Sequence, residues 1–244
     1  MRLRLGQSVQ ATDGEFGEVG DIIVDPVRRT VTHLVVQPHR RHYQARLVPI
    51  ALVSVEDDTA MVNLDGAGLR HLQRVSDSEF TRLGEPIDVG PEWDIGTEDV
   101  VSMPSMDAEY GMWSYDDRVT VNYDRIPRGE CEIRRSSAVL SADDHEVGTV
   151  EGFLADDEHL AGVVVRTGRP GLRHFVVVPI DSVARVRNDL ITLTVDEAAF
   201  GALPFTDDVL GQHHSPSRLT GLEHRAARAL RSIAARLGRG ERSS

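Results

Sequence analysis

Asp13-Gly14-Glu15-Phe16-Gly17-Glu18-Val19-Gly20-Asp21-Ile22-Ile23-Val24-Asp25 is the stretch from which the rest of the chain reads. Asp-Gly is a tight-turn pair, because glycine reaches positive φ without a steric penalty. Gly17 predicts a point where the backbone passes close to a second strand. The apolar, β-branched run ending at Asp25 predicts a strand. The pattern returns as Asp143-Asp144-His145-Glu146-Val147-Gly148-Thr149-Val150-Glu151-Gly152-Phe153-Leu154-Ala155-Asp156. Gly17 matches Gly148, Val19 matches Val150, Ile22 matches Phe153 and Asp25 matches Asp156, at a nearly constant offset.

Outward from this stretch the match holds. Leu34-Val35-Val36 resembles Val163-Val164-Val165, Val48-Pro49-Ile50 matches Val178-Pro179-Ile180, and Val53 matches Val183. Asp65 with Leu69 and Leu72 matches Asp196 with Phe200 and Leu203; in the first copy this predicts a short helix capped by Asp65. Alternation at Leu3, Leu5 and Val9 predicts a first strand. Residues 31–37, 46–50, 52–55 and 60–64 follow as strands, with Pro49 implying an edge or a bulge. Short strands punctuated by Gly, Pro and Asp turns predict two small barrels or sandwiches, each closed around its own interior. Between them, Ser76-Asp77-Ser78-Glu79 has the form of a capping box and predicts a short helix carrying Phe80 and Leu83. Residues 87–123 hold both tryptophans and many carboxylates without a convincing period, and predict a long irregular connector.

Composition narrows the function classes. The chain has 244 residues, a formal charge of −12 and no lysine. An acidic body does not attract nucleic acid as a whole. Cys131 is the only cysteine, so an internal disulfide or a cysteine zinc cluster is ruled out; this fits a reducing cytosol. No apolar run approaches the ~20 residues that span a bilayer. The first residues lack the apolar segment of a signal peptide. The expected location is cytoplasmic.

The pattern Asp-Gly-x-x-Gly-x-Val-x-Asp-Ile-Ile-Val-Asp, then Leu-Val-Val, then Leu-Val-Pro-Ile, is similar to the PRC-barrel family. That family is named for the cytoplasmic part of the photosynthetic reaction-centre H subunit, and the fold also forms the C-terminal half of a ribosome-maturation factor. Residues 6–72 resemble one copy and 132–203 a second, more divergent one. The lead-in at residues 123–133 looks like the one before stand-alone PRC barrels in actinobacterial stress-type proteins. The resemblance implies a mainly β fold: two tandem small PRC-type β-barrels over residues 1–75 and 130–205. A short helix and an acidic aromatic connector lie at 76–129, a linker and a basic amphipathic helix at 206–244. It implies an adaptor surface and carries over no catalytic residue. The H subunit has a membrane helix ahead of its barrel and the maturation factor a different barrel; neither fits here, which argues against a photosynthetic role and weighs against ribosome maturation.

The residues themselves offer little chemistry. Gly14, Gly17 and Gly20 lack dinucleotide spacing and no helix start follows them. His33, His39 and His42 are close in sequence but have no carboxylate spaced to complete a metal cage. Cys131 falls in an expected strand as a small buried residue rather than a nucleophile. No catalytic, cofactor or metal residue is assigned, and no pocket gathering several ionisable groups is expected. Arg40, Arg41 and Tyr43, with Arg46, form a loop that offers arginines and a stacking ring to a partner or to RNA. In the last residues Leu219, Leu222, Ala226, Leu230, Ile233 and Leu237 recur at spacings of three and four, giving one apolar stripe. Arg218, Arg225, Arg228 and Arg231 flank it. This helix is expected to dock on the barrels or on a second copy, to lie on an anionic membrane, or to remain a frayed tail.

The sum is a non-enzymatic adaptor whose protein partners meet the barrel surfaces and the helix, a homo-oligomer being one form. One alternative is a peripheral or stress-associated protein at the inner face of the plasma membrane, anchored by the basic helix. Another is an accessory factor in RNA processing or ribosome maturation.

Overall fold

The computed structural model describes residues 2–39, 44–56, 58–82, 84–101, 118–156, 159–169 and 172–206. The first repeat contains β1 (Arg2–Arg4), β2 (Ser8–Ala11), β3 (Gly14–Asp25), β4 (Thr30–Pro38), β5 (Arg46–Pro49), β6 (Val53–Glu56), β7 (Thr59–Val62) and α1 (Gly66–His71). The second runs in the same order: β11 (Cys131–Arg134), β12 (Ala138–Leu140), β13 (Glu146–Asp156), β14 (His159–Arg169), β15 (Leu172–Pro179), β16 (Val183–Arg187), β17 (Leu190–Leu193) and α2 (Glu197–Gly201), with β18 (Phe205–Thr206) after it. Asp65 and Asp196 cap the two helices, each accepting a backbone N–H, from Gly68 and Ala199.

The expected close approach is present. A Cβ on Gly17 would lie 2.0 Å from the Gln37 carbonyl oxygen, and one on Gly148 2.4 Å from that of Arg166. Both glycines therefore let the long hairpin strands cross more closely than any side chain permits. Gly14 has φ of +139°, as its turn requires. Pro49 ends β5, whose only ladder partner among the described residues is β4.

The repeats are not two closed barrels. The strands form one fifteen-stranded open sheet, whose main path runs from β16 to β6, and a separate three-stranded sheet. The physical reason lies in the first strand of each repeat, which is given to the other. β1 pairs with β13, Leu3 opposite Phe153, and β11 pairs with β3, Ile133 opposite Ile22. These registers are equivalent under the internal repeat, so the exchange is reciprocal. It is anchored by matched turns: Arg4 N–H donates to Gln7 Oε1 (3.1 Å) and Arg134 N–H to Ser137 Oγ (2.7 Å). Because each repeat supplies a strand to its neighbour, the two interiors merge. Leu3, Ile22, Leu34, Val36 and Val48 share one cluster with Ile133, Phe153, Val163, Val165 and Val178. Each such buried side chain contributes roughly 1.5–3 kcal/mol.

The intervening segment is also more ordered than expected. Ser76–Arg82 is a strand, β8, not a capped helix. With β9 (Trp93–Val101) and β10 (Arg118–Pro127) it forms the antiparallel sheet β8-β10-β9. That sheet covers the outer face of the first repeat, where Ile23, Val35 and Leu47 meet Val75, Ile126 and Trp93. Strand alternation explains the arrangement: Ile22 and Val24 enter the shared core, so Ile23 points the other way. Among the described residues no helix is long and apolar enough to cross a membrane.

Candidate functional site

The face that turns Ile23 toward the three-stranded sheet also turns Asp21 that way, two residues earlier on β3. Opposite Asp21 in register stands Arg134, and Glu132 lies two residues before it on β11. The exchanged strand thus puts three ionisable side chains under the second sheet, next to its polar end. A cavity of about 460 Å³ opens there, its lining including Arg74, Ser76, Thr97, Asp99, Asp124 and Arg134.

Glu132 is fully buried. Its Oε2 accepts from the Thr97 N–H (2.9 Å) and from Thr97 Oγ1 (2.8 Å). Its Oε1 has no hydrogen-bond partner among the described residues. Gly96 makes this seat, since a Cβ there would stand 2.4 Å from Glu132 Oε2. Asn188 locks the sheets together: it accepts the Glu132 N–H (2.9 Å) and donates to the carbonyls of Ile95 and Gly96.

The charges do not balance. Among the described residues Arg134 is the one cation that lowers Asp21, Asp124 and Glu132 alike, yet its guanidinium is engaged by Asp189 through Nε (2.9 Å) and a second short contact from Nη2. Burial, then the charges of Glu132 and Asp124, pushes Asp21 up to about 8. Burial, then Asp124, pushes Glu132 up to about 7, against the Thr97 hydrogen bonds. Burial also raises Asp124, although Ser76 Oγ donates to its Oδ1 (2.6 Å). A carboxyl raised in this way signals negative charge short of solvent and of counter-charge.

Sequence reasoning expected no such convergence, and the structure corrects it. The sequence reading gave none of Asp21, Glu132, Asp124 and Asp189 a site role. The one usable signal was a carboxylate inside an apolar strand: Asp21 before Ile22-Ile23-Val24, and Glu132 between Cys131 and Ile133. Arg40, Arg41, Tyr43, Arg218, Leu222, Arg225, Arg228, Leu230, Arg231 and Ile233 lie outside the described residues. Arg46 opens the expected strand, β5, but this residue, offered there beside the loop, is only 7% exposed, and burial, then Arg74, lowers its pKa. His39 meets Glu15 (3.0 Å) while His33 meets Thr32 (3.1 Å), so the two histidines do not converge. Among the described residues no group of three or more His, Cys, Asp or Glu is placed to hold a metal ion. Cys131 is half-buried, and burial followed by Glu130 raises its thiol, which opposes nucleophilic character. Asp13 and Asp143, read from sequence as turn carboxylates, accept the N–H groups of Gly66 (2.7 Å) and Glu197 (3.1 Å) at the helix starts.

A scan against protein-family models gives no match. A search of curated proteins gives no match either.

Proposed function

We propose that the protein is a non-enzymatic adaptor of PRC-barrel type that grips a cationic group of a protein partner in the cleft between its two sheets. The observation that carries this reading is charge short of compensation: Asp21, Glu132 and Asp124 raised by burial and by neighbouring carboxylates, a buried Glu132 oxygen with no donor among the described residues, and Arg134, which lowers all three, already engaged by Asp189. A guanidinium or ammonium entering beside Asp99 and Asp124 supplies the missing donors. It also draws Asp21 and Glu132 toward their ionised forms, so binding releases protons and tightens as pH rises. The interlocked repeats support a rigid binding body, because neither half opens without breaking a strand pair of the other.

Calorimetric titration with a capped tri-arginine peptide at low salt tests this. Affinity is expected to increase about tenfold from about pH 6 to about pH 8.5. The double change Asp99→Asn with Asp124→Asn is expected to remove the binding, while Asp143→Asn, at a helix start away from the cleft, leaves it intact. Equal binding by all three proteins would attribute it to the general acidity of the body and overturn the proposal.

The raised carboxyls favour one second reading, general acid–base chemistry in the same cleft, since groups with pKa values near neutrality are the ones suited to proton transfer. It differs in outcome: turnover of a small substrate abolished by Glu132→Gln, in a protein that still folds, supports an enzyme and not an adaptor.

A further inference from the structure

The outer face of the second repeat has a counterpart to every strand residue of the covered face of the first. Leu154, Val164 and Val177 form a separate apolar cluster and stand where Ile23, Val35 and Leu47 stand in the first copy. They point away from the shared core for the same reason, alternating with Phe153, Val163, Val165, Val176 and Val178, which enter it. In the first repeat a second layer closes the face, with Val75, Ile126 and Trp93 on top. In the second repeat Leu154, Val164 and Val177 are 3%, 0% and 4% exposed. Among the described residues, the hydrophobic side chains packed against them are Ala161 and Phe175, which belong to β14 and β15, the strands that supply Val164 and Val177. Residues of the same sheet do not cover that sheet's face, so the burial calls for a further layer.

The chain path points to its source. In the first repeat the segment after α1 runs along β5, with Val75 N–H donating to the Ala45 carbonyl and Arg46 bridged to Arg74. It then continues directly into the covering sheet. In the second repeat the segment after α2 does the same along β15: β18 pairs Phe205 with Val176 and Thr206 with Phe175. The chain therefore leaves Thr206 at the border of this second face, with Phe205 52% exposed and its ring against His174. Beyond Thr206 come residues 207–244, whose apolar positions Leu219, Leu222, Ala226, Leu230, Ile233 and Leu237 lie on one helical stripe.

We infer that residues 207–244 lay this stripe on Leu154, Val164 and Val177, closing the second repeat as the three-stranded sheet closes the first. The arginines flanking the stripe are then turned outward, forming a basic ridge on an otherwise acidic molecule. The apolar side of the helix is thereby taken from any membrane or second copy of the chain.

Thiol labelling decides the matter in the full chain. In a Cys131→Ser background, Val164→Cys places a single thiol under the proposed cover, and Val35→Cys places one under the three-stranded sheet as a control. Both are expected to react slowly with a water-soluble disulfide reagent. Adding Leu222→Ser, Leu230→Ser and Ile233→Ser should accelerate labelling at position 164 by at least about tenfold and leave position 35 unchanged. Unchanged protection at 164 in the serine variant overturns the inference, as does rapid labelling at 164 in the parent. Protection lost on dilution assigns the cover to a second copy and overturns it too. If either cysteine disturbs folding, 1-anilinonaphthalene-8-sulfonate fluorescence of the otherwise unaltered chain against the three-serine variant decides between the same outcomes. Increased dye binding supports the inference and equal binding refutes it.

Discussion

Replacing Asp21 with asparagine removes one ionisable group from the buried cluster beside the cleft without changing the shape of the side chain. In the folded chain burial, then Glu132 and Asp124, lift this carboxyl from 3.8 to about 8. A carboxyl whose folded pKa lies above its unfolded value takes up a proton on folding. Its contribution to stability is complete below about pH 4 and is lost as pH rises through about 8. At about 1.36 kcal/mol for each pH unit between the two values, the whole displacement is worth about 6 kcal/mol. Part of the displacement comes from the charges of Glu132 and Asp124, which burial also raises, so removing Asp21 alone recovers less, about 2–4 kcal/mol. Asp21→Asn is therefore expected to match the parent within about 1 kcal/mol near pH 4 and to exceed it by about 2–4 kcal/mol near pH 9. Urea titrations across this range, followed by tryptophan fluorescence, give the midpoints. Trp93, packed on the Ile23 cluster, reports directly on the sheet contact. Parallel stability profiles for the two proteins from pH 4 to pH 9 would refute the reasoning, because they would show that Asp21 titrates alike in the folded and unfolded chains.

Two further predictions concern the frame that carries the cleft. Gly17→Ala drives a methyl to 2.0 Å from the Gln37 carbonyl, a backbone atom held in the β3–β4 ladder. It is expected to cost at least about 2 kcal/mol in a urea titration, and a cost below about 0.5 kcal/mol would deny the close crossing. Leu3→Ala truncates a fully buried side chain on the exchanged strand, at an expected cost of about 2–5 kcal/mol. Hydrogen exchange should then rise first in β13, its partner in the second repeat. A rise confined to β2 and β3 would mean that β1 serves its own repeat.

Much of the frame was legible because local chemistry dictates it. Turn glycines, period-two alternation, helix-capping aspartates and the near-constant offset between two stretches are properties of neighbouring residues. They located most strands of both repeats, the capped helices and the crossing at Gly17. The segment 76–129 was illegible for a related reason. Ser76-Asp77-Ser78-Glu79 satisfies the local rule for a helix start, but β8 pairs along its length with β10, and ladder hydrogen bonds outweigh a capping preference worth about 1 kcal/mol. Within β9 no residue from Trp93 to Val100 is fully buried, so no alternation of buried and exposed positions marks the strand in the sequence.

The residues by themselves also specified the duplication and the acidic charge, since both are sums or comparisons along one line. They did not specify which strand each repeat keeps. Exchange and self-pairing bury the same apolar side chains in the same alternation, so Leu3 and Ile133 look identical in either case. Only the tertiary structure decides between them, and that choice sets Arg134 and Glu132 on the strand beside Asp21. Asp21 and Glu132 come from strands of different repeats, more than a hundred residues apart in sequence. Their pKa values depend on a low-dielectric gap between two sheets that no local pattern encodes.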